Sequence, residues 1–154
     1  MPQPDLTDAR LIEQTRLLCD SYRRWTGKIL VTETADCSLP AALFSAPFVL
    51  VSHGTEPVPV FNYANHKALD LFGLDWKAFT RTPSFQSADQ ENQSDRAELM
   101  ARVKANGYAT GCSGIRISAT GRRFRIDGAT VWNVVDSKGC YHGQAAMFDQ
   151  WTYL

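Results

Sequence analysis

The chain has 154 residues, 44% of them hydrophobic and 21% charged, and its 16 basic and 16 acidic side chains cancel to a formal net charge of +0. That length suits one domain that buries a core without metal or disulfide support, and that composition excludes general disorder. The charge balance offers no electrostatic footprint for nucleic acid or an anionic membrane, and no apolar run approaches the ~20 residues that span a bilayer. Met1-Pro2-Gln3-Pro4-Asp5 lacks the basic and apolar stretches of a secretory signal, so a cytoplasmic location is expected. Cys19, Cys37, Cys112 and Cys140 lie far apart with no CxxC pair. Free, buried or half-buried thiols are therefore expected in preference to zinc ligands or a redox couple.

In chain order, residues 7–25 read as an amphipathic helix capped by Thr7. Leu11, Ile12, Leu18, Cys19, Tyr22 and Trp25 form one stripe, Asp8, Arg10, Glu13, Arg16 and Arg23 the other, and Gly27 is placed to end it. The apolar stripe needs a cover, either the sheet that follows or the same stripe of a second chain in a homodimer. Residues 28–47 read as a connector with room for a short strand over Lys28 to Thr34, a turn at Ala35 to Pro40 and a helical turn at Ala41 to Phe44. Phe48 to His53 is continuously apolar up to its last two residues, as befits a strand covered on both faces. The Gly54-Thr55-Glu56-Pro57 loop joins it in an antiparallel hairpin to a strand from Val58. Period-two alternation there puts Val58, Val60, Asn62 and Ala64 on one side and Pro59, Phe61, Tyr63 and Asn65 on the other.

Asn65 then fits a cap for a helix carrying Ala68, Leu69, Leu71 and Phe72, which Gly73 ends. Leu74 to Phe79 adds another turn or two, and Thr82-Pro83-Ser84 breaks it. Residues 85–93 are polar and expected to be exposed; Ser94 or Asp95 then caps a helix with Leu99, Met100, Val103 and Tyr108 inward, and Asn106-Gly107 stops it. The remainder reads as strand. Ile115 and Ile117 alternate with Arg116 and Ser118, Thr120-Gly121 turns, and Phe124 and Ile126 alternate with Arg123, Arg125 and Asp127. Gly128 interrupts the alternation, which predicts a bulge. Thr130 to Val135 continues the strand, Asp136 to Gly139 turns it, and Gly143 to Tyr153 supplies the last. The order predicts an α+β domain: an antiparallel sheet of about five strands with helices on one face, preceded by an N-terminal amphipathic helix. Residues 1–27 are expected to form a helical extension and 28–154 the domain proper.

Catalytic patterns are missing. Ser52 and His53 are neighbours in a strand and point to opposite faces, so they do not make a nucleophile and base. His53, His66 and His142 sit in three different elements, carboxylates do not pair at useful spacing, and Gly111-Cys112-Ser113-Gly114 lacks the lysine of a phosphate loop. No enzyme and no metal site are expected.

A distributed set of motifs carries a resemblance. Ala46 to Gly54, Pro59 to Asn65 with Ala68-Leu69, Pro83-Ser84, Arg96, Gly114 to Ser118, Gly121 to Phe124, Val131-Trp132-Asn133 and Gly143 to Ala146 together resemble the MEKHLA domain. This PAS-like module occurs in stand-alone bacterial proteins and at the C-terminus of plant class III homeodomain leucine-zipper proteins. Cys112-Ser113 departs from the pattern, where an aromatic residue is expected in many relatives. The resemblance implies a PAS-like fold and a sensory or regulatory role, with the cofactor unknown. Haem-binding PAS domains take an axial ligand from the later helix, and residues 95–106 contain no His; a flavin photoreceptor of the LOV type needs a reactive Cys in an Asn-Cys-Arg context, which is absent.

In a PAS arrangement the sheet and the helices after the hairpin enclose an apolar cavity in which a few polar groups set orientation. The candidates are Asn62, Tyr63, Arg116, Arg125, Asn133 and Gln144. Alternatively, Asn133 and Gln144 only satisfy backbone groups, and Arg116 with Arg125 forms a solvated cross-strand pair with Asp127; Trp132 and Phe148 read as core. The resulting expectation is a small stand-alone sensor that binds a small molecule and signals through a protein partner. The rival is a dimerisation or interaction module whose cavity is filled.

Overall fold

The computed structural model describes residues 3–87 and 93–154. The first helix, α1 (Ala9–Thr26), is capped by Asp8 and not by Thr7: the Asp8 carboxylate accepts from the backbone N–H groups of Arg10 and Leu11. Thr7 instead donates its hydroxyl to Asp5. A carboxylate at the helix start also complements the positive end of the helix dipole, an advantage a hydroxyl lacks. Gly27, with φ 74°, ends the helix as its left-handed cap.

The predicted strand over Lys28 to Thr34 does not form. Only an isolated bridge between Thr34 and Cys37 is present, followed by α2 (Leu39–Phe44) with Ser38 as its cap. Leu30 and Val31 of this segment pack, partly buried, against the α1-side core without joining the sheet.

Strands β1 (Val49–His53) and β2 (Phe61–Ala64) pair antiparallel, and α3 (His66–Phe72) and α4 (Trp76–Phe79) follow. A single turn of 3-10 helix spans Ser84–Ser87, and α5 runs over Gln93–Asn106. Helix α5 begins at Gln93, so Ser94 and Asp95, expected at its cap position, lie within the helix. Of the stretch expected to be polar and exposed, Phe85 is exposed, Ser87 is buried, and residues 88–92 lie outside the described ones. The closing strands are β3 (Tyr108–Ile117), β4 (Arg123–Val135), β5 (Tyr141–Phe148) and β6 (Gln150–Tyr153). The sheet order is β2-β1-β5-β4-β3, with β6 also paired to β4. The expected single last strand is therefore two: the chain breaks at Asp149, and β6 continues along the other half of β4, so that Trp151 sits opposite Ile126 and packs on Phe148.

The two sheet faces are covered by different parts of the chain. Helices α3, α4 and α5 lie over one face, around a core that includes Val49, Val51, Phe61, Phe72, Phe79, Phe124 and Phe148. Helix α1 lies over the other, where Leu11, Leu18 and Tyr22 pack on Leu50, Tyr63, Trp132, Val134 and Ala145. The apolar stripe of α1 is thus covered by the chain's own sheet. Trp132 is 0% exposed and donates its indole N–H to the Ser21 hydroxyl at 3.0 Å, and its ring meets Tyr22 edge-on at 5.0 Å. A buried indole needs such a partner, which explains a serine on the buried face of α1.

Asn65 ties these pieces together. It is 0% exposed, and its side chain makes four hydrogen bonds. Its Oδ1 accepts from the N–H groups of Leu50 on β1 and Ala68 on α3, each at 3.1 Å. Its Nδ2 donates to the carbonyls of Phe48 at 2.7 Å and Leu43 at 3.4 Å. One amide therefore caps α3, extends the β1–β2 ladder and holds the end of α2. Gly143 shows the second tight constraint: a β-carbon there would collide with the carbonyl oxygen of His53 on the neighbouring strand.

Asn65→Ala leaves two N–H and two C=O groups without their partner and is expected to cost about 2–4 kcal/mol, read from the midpoint of urea unfolding. Asn65→Asp is expected to give no rescue, because a carboxylate replaces the donor facing two carbonyls; an unchanged midpoint for either variant contradicts this account. Gly143→Ala is expected to lose the cooperative transition altogether.

Candidate functional site

Strand alternation fails at three glycine or polar positions, and those failures shape the site. Ser52 pairs with Tyr63 but His53 pairs with Phe61, so Asn62 is the extra residue of a β-bulge. Phe61 consequently enters the core under α3 and α4, stacked on Phe79 at 4.3 Å, while Tyr63 enters the core under α1. Alternation alone puts those two rings on one face; the bulge separates them. On β3 and β4 two bulges face each other. Between Ala109↔Val131 and Cys112↔Ala129 the extra residue is on β3, where Gly111 has φ 66°; between Cys112↔Ala129 and Gly114↔Ile126 it is on β4, where Gly128 has φ 68°. The two offset each other, so Ile126, Ala129 and Val131 all reach the helix-covered face, as the interruption at Gly128 predicts.

A cavity of about 120 Å³ opens on that face between the sheet and helices α3 and α5. Its apolar wall includes Val51, Phe61, Phe72, Leu99, Ile126, Val131 and Phe148. Its described polar and soft groups are Ser52, His53, Ser84, Ser87, Met100, Cys112, Ser113, Arg116 and Gln144. The hollow exists because the sheet carries short side chains there: Cys112 sits opposite Ala129, and Ala146 lies between Val51 and Val131.

The sequence candidates divide accordingly. Arg116 and Gln144 line the cavity. Arg116 lies opposite the fully buried Phe124 and so shares the helix-covered face with it. Gln144 donates from Nε2 to Asn133 Oδ1 at 3.3 Å and to Met100 Sδ at 3.7 Å. Asn133 therefore orients a lining residue without lining the cavity itself, and it also accepts from the Trp25 indole through its backbone carbonyl at 2.9 Å. Asn62 is on the opposite face, where its Oδ1 accepts from Ser52 and from Gln14 of α1. Arg125 is exposed on that same opposite face, between Ile115 and Thr152, so it makes no cross-strand pair with Arg116. Tyr63 is 1% exposed in the α1-side core, and its hydroxyl has no hydrogen-bond partner. Burial, with a smaller contribution from Cys19, pushes that phenol well above its ordinary range.

His53, Met100, Ser84, Ser87 and Cys112 were not singled out as pocket groups from sequence. For Cys112 a signal existed in Gly111-Cys112-Ser113-Gly114, whose glycines mark a bulge next to a small side chain. Burial raises the Cys112 thiol, with nearby Arg102 opposing, and burial pushes Cys19 up to about 12, so both are neutral thiols near neutral pH. Cys140 is exposed. His66 and His142 are occupied at the surface with Asp70 at 3.4 Å and Asp136 at 3.0 Å. Among the described residues no cluster of three or more His, Cys, Asp or Glu side chains is arranged to hold a metal ion. No described helix is long and apolar enough to cross a membrane.

An antiparallel sheet in the order β2-β1-β5-β4-β3, with the helices between β2 and β3 roofing one face, defines a PAS-like domain. Solved structures agree on the fold. The PAS domain of a protein from Colwellia psychrerythraea superposes with a TM-score of 0.59 at 12% identity, covering 73% of this chain and 91% of that one. The dark structure of the blue-light photoreceptor Aureochrome1 LOV gives a TM-score of 0.54 at 18% identity, covering 80% of this chain and 88% of that one. Within that class the chain belongs to the MEKHLA domain family, whose model matches residues 12–153. Curated relatives include Homeobox-leucine zipper protein HOX29 of Oryza sativa subsp. indica, 26% identical over 144 residues that make up 90% of this chain and 17% of the relative. Homeobox-leucine zipper protein ATHB-14 of Arabidopsis thaliana is 26% identical over 96% of this chain and 18% of its own length. The chain thus spans less than a fifth of these relatives.

Two outcomes test the placement of these side chains. Tyr63→Phe removes a buried hydroxyl that bonds to nothing and is expected to stabilise the fold by about 1 kcal/mol in urea unfolding; a loss of stability would mean that the hydroxyl has a partner. In thiol labelling at pH 8, Cys140 is expected to react first and Cys19 only on unfolding, which peptide mapping of the labelled sites reads directly.

Proposed function

We propose that this domain is a sensor that binds a small molecule in the cavity between the sheet and helices α3 and α5 and relays occupancy to a protein partner. The observation that carries the reading is the cavity itself: a largely apolar hollow at the centre of the sheet, kept open by the short side chains of Cys112, Ala129 and Ala146, with Arg116 and Gln144 set into its wall. Well-packed cores leave few voids larger than a water molecule, since a void forfeits dispersion contacts. An apolar hollow with a few convergent polar groups is the usual form of a ligand site. Its volume is below the ~300 Å³ at which drug-sized sites begin and close to the ~150 Å³ of a cavity that accepts a single aromatic ring. A compact ligand fits it better than a haem or a flavin.

The role proposed is non-catalytic, and its readout runs through the surfaces that the two helical layers present. Occupancy presses on α5 through Leu99 and Met100, and Met100 connects through Gln144 and Asn133 to β4 and to Trp25 at the end of α1. A second copy of the chain is one such partner; because the inner stripe of α1 lies against the sheet, a dimer would use another surface.

The test is native mass spectrometry of the purified chain beside Cys112→Phe, which places a ring in the hollow. The expected result is a bound small molecule on the wild-type protein that is absent from Cys112→Phe, with far-UV circular dichroism unchanged. An unliganded wild-type protein whose thermal midpoint no compound of a fragment library raises supports the rival reading, an interaction module with no ligand.

A further inference from the structure

We propose that the protein partner of this domain docks through a short acidic segment on a basic surface at one end of the molecule. That surface is formed by Arg23, Arg24 and Lys28 at the close of α1, Lys104 at the close of α5 and Lys138 in the β4–β5 turn. The inference rests on the reading of the domain as a sensor that signals through a protein, and adds where that protein sits and what chemistry it brings.

Three stretches distant in sequence, residues 20–28, 104–107 and 136–139, converge around Trp25. A β-carbon on Gly107, at the α5–β3 turn, would lie 2.5 Å from the Trp25 ring, whose indole N–H donates to the Asn133 carbonyl of β4 at 2.9 Å. Arg24 Nη1 donates to the Asp136 carbonyl at 3.3 Å, and a β-carbon on Gly139, beside Lys138, would lie 3.6 Å from the same guanidinium. All five basic residues are exposed, and among the described residues Arg23, Lys28, Lys104 and Lys138 make no ion pair. Asp20 and Asp136 are the acids within these stretches, and the Asp136 carboxylate is already engaged by His142 and by the N–H groups of Lys138 and Cys140. Cations in the last turns of α1 and α5 complement the negative ends of the helix dipoles. Lys28 lies past the Gly27 cap and Lys138 on a turn of the sheet, so the dipoles do not account for the whole cluster.

The size of this surface selects among anionic partners. Its local excess of cations stands on a chain whose 16 basic and 16 acidic side chains cancel. A nucleic-acid duplex or an anionic membrane extends past so small a surface and meets the acids elsewhere on the molecule, whereas a short segment with several Asp or Glu side chains meets the cations alone. Its place in the fold suits a readout. The hydrogen bonds from Met100 through Gln144 and Asn133 end at Trp25, and Trp25 also abuts the end of α5 at Gly107. A displacement of α5 over the cavity therefore alters the spacing of Lys104 against Arg24 and Lys138, and a partner that bridges them senses it.

The experiment measures fluorescence anisotropy of a labelled peptide of Glu-Glu-Ala repeats, and of its Gln-Gln-Ala counterpart, on the full chain at low salt. The acidic peptide is expected to bind wild type at least roughly fivefold more tightly than the neutral one, as a few exposed ion pairs provide. Lys28→Gln/Lys138→Gln is expected to lose most of that difference, while Lys77→Gln/Arg81→Gln, which removes the same charge from exposed positions at α4, keeps it. Equal binding of the two peptides to wild type, or equal losses in the two double variants, overturns the proposal. A DNA duplex or a phosphatidylserine vesicle that binds more tightly than the acidic peptide, and is lost in Lys28→Gln/Lys138→Gln, also overturns it. All four substitutions are at the surface, and the wild-type comparison needs no variant. The peptides report on docking whether or not the cavity is occupied, so their failure leaves the ligand reading to native mass spectrometry.

Discussion

One buried amide holds the architecture in register. Asn65 is enclosed on every side, yet each of its hydrogen-bonding groups has a protein partner: two N–H donors on β1 and α3, two carbonyls on the segments that enter β1. A buried polar group is costly when unpaired and specific when fully paired, because only one arrangement of the surrounding backbone satisfies it. Here that arrangement sets where β2 stops, where α3 starts and how both sit against β1. Every later feature, the roof of helices and the hollow beneath it, inherits its position from that corner.

From that corner the chain builds one sheet with two unlike covers. The α1 side packs around Trp132 and Tyr63; Ser21 accepts from the indole and Gln14 meets Ser52 and Asn62 across the interface, while the Tyr63 hydroxyl stays unpaired. The other side combines a dense cluster of phenylalanines near β2 and β4 with the hollow at Cys112, Ala129 and Ala146. Phe61, Phe72 and Phe148 border the hollow that the short side chains leave on this face. A ring at position 112 would fill the hollow, so the Cys112 departure bears on whether it stays open in this member of the family.

The bulges explain how a strand can supply both layers. Asn62 sends Phe61 and Tyr63 to opposite covers, and the facing pair at Gly111 and Gly128 moves the phase of β4 so that Ile126, Ala129 and Val131 join one face. Each bulge removes ladder bonds locally, and each is compensated by packing that a regular strand does not reach. The line from Trp25 through Asn133 and Gln144 to Met100 crosses the sheet by hydrogen bonds, so the two covers are connected as well as opposed.

Local chemistry was readable from the chain alone. Helix periodicity, the Asn65 cap, the glycines that end α1 and α3, the turns before β4 and β5 and the antiparallel α+β plan all depend on interactions within a few residues, where spacing determines contact. The Asp8 cap was missed because Thr7 and Asp8 are both good capping residues one position apart, and only the path of the entering chain chooses between them. Which candidate polar residues meet a cavity was decided by tertiary structure: a bulge reverses every side chain beyond it, and the register of β3 on β4 put Arg116 inside and Arg125 outside. Short side chains announce no cavity in a sequence. They make one only when strands far apart in the chain bring Cys112, Ala129 and Ala146 beneath the same helices, and that juxtaposition is a property of pairing across the sheet.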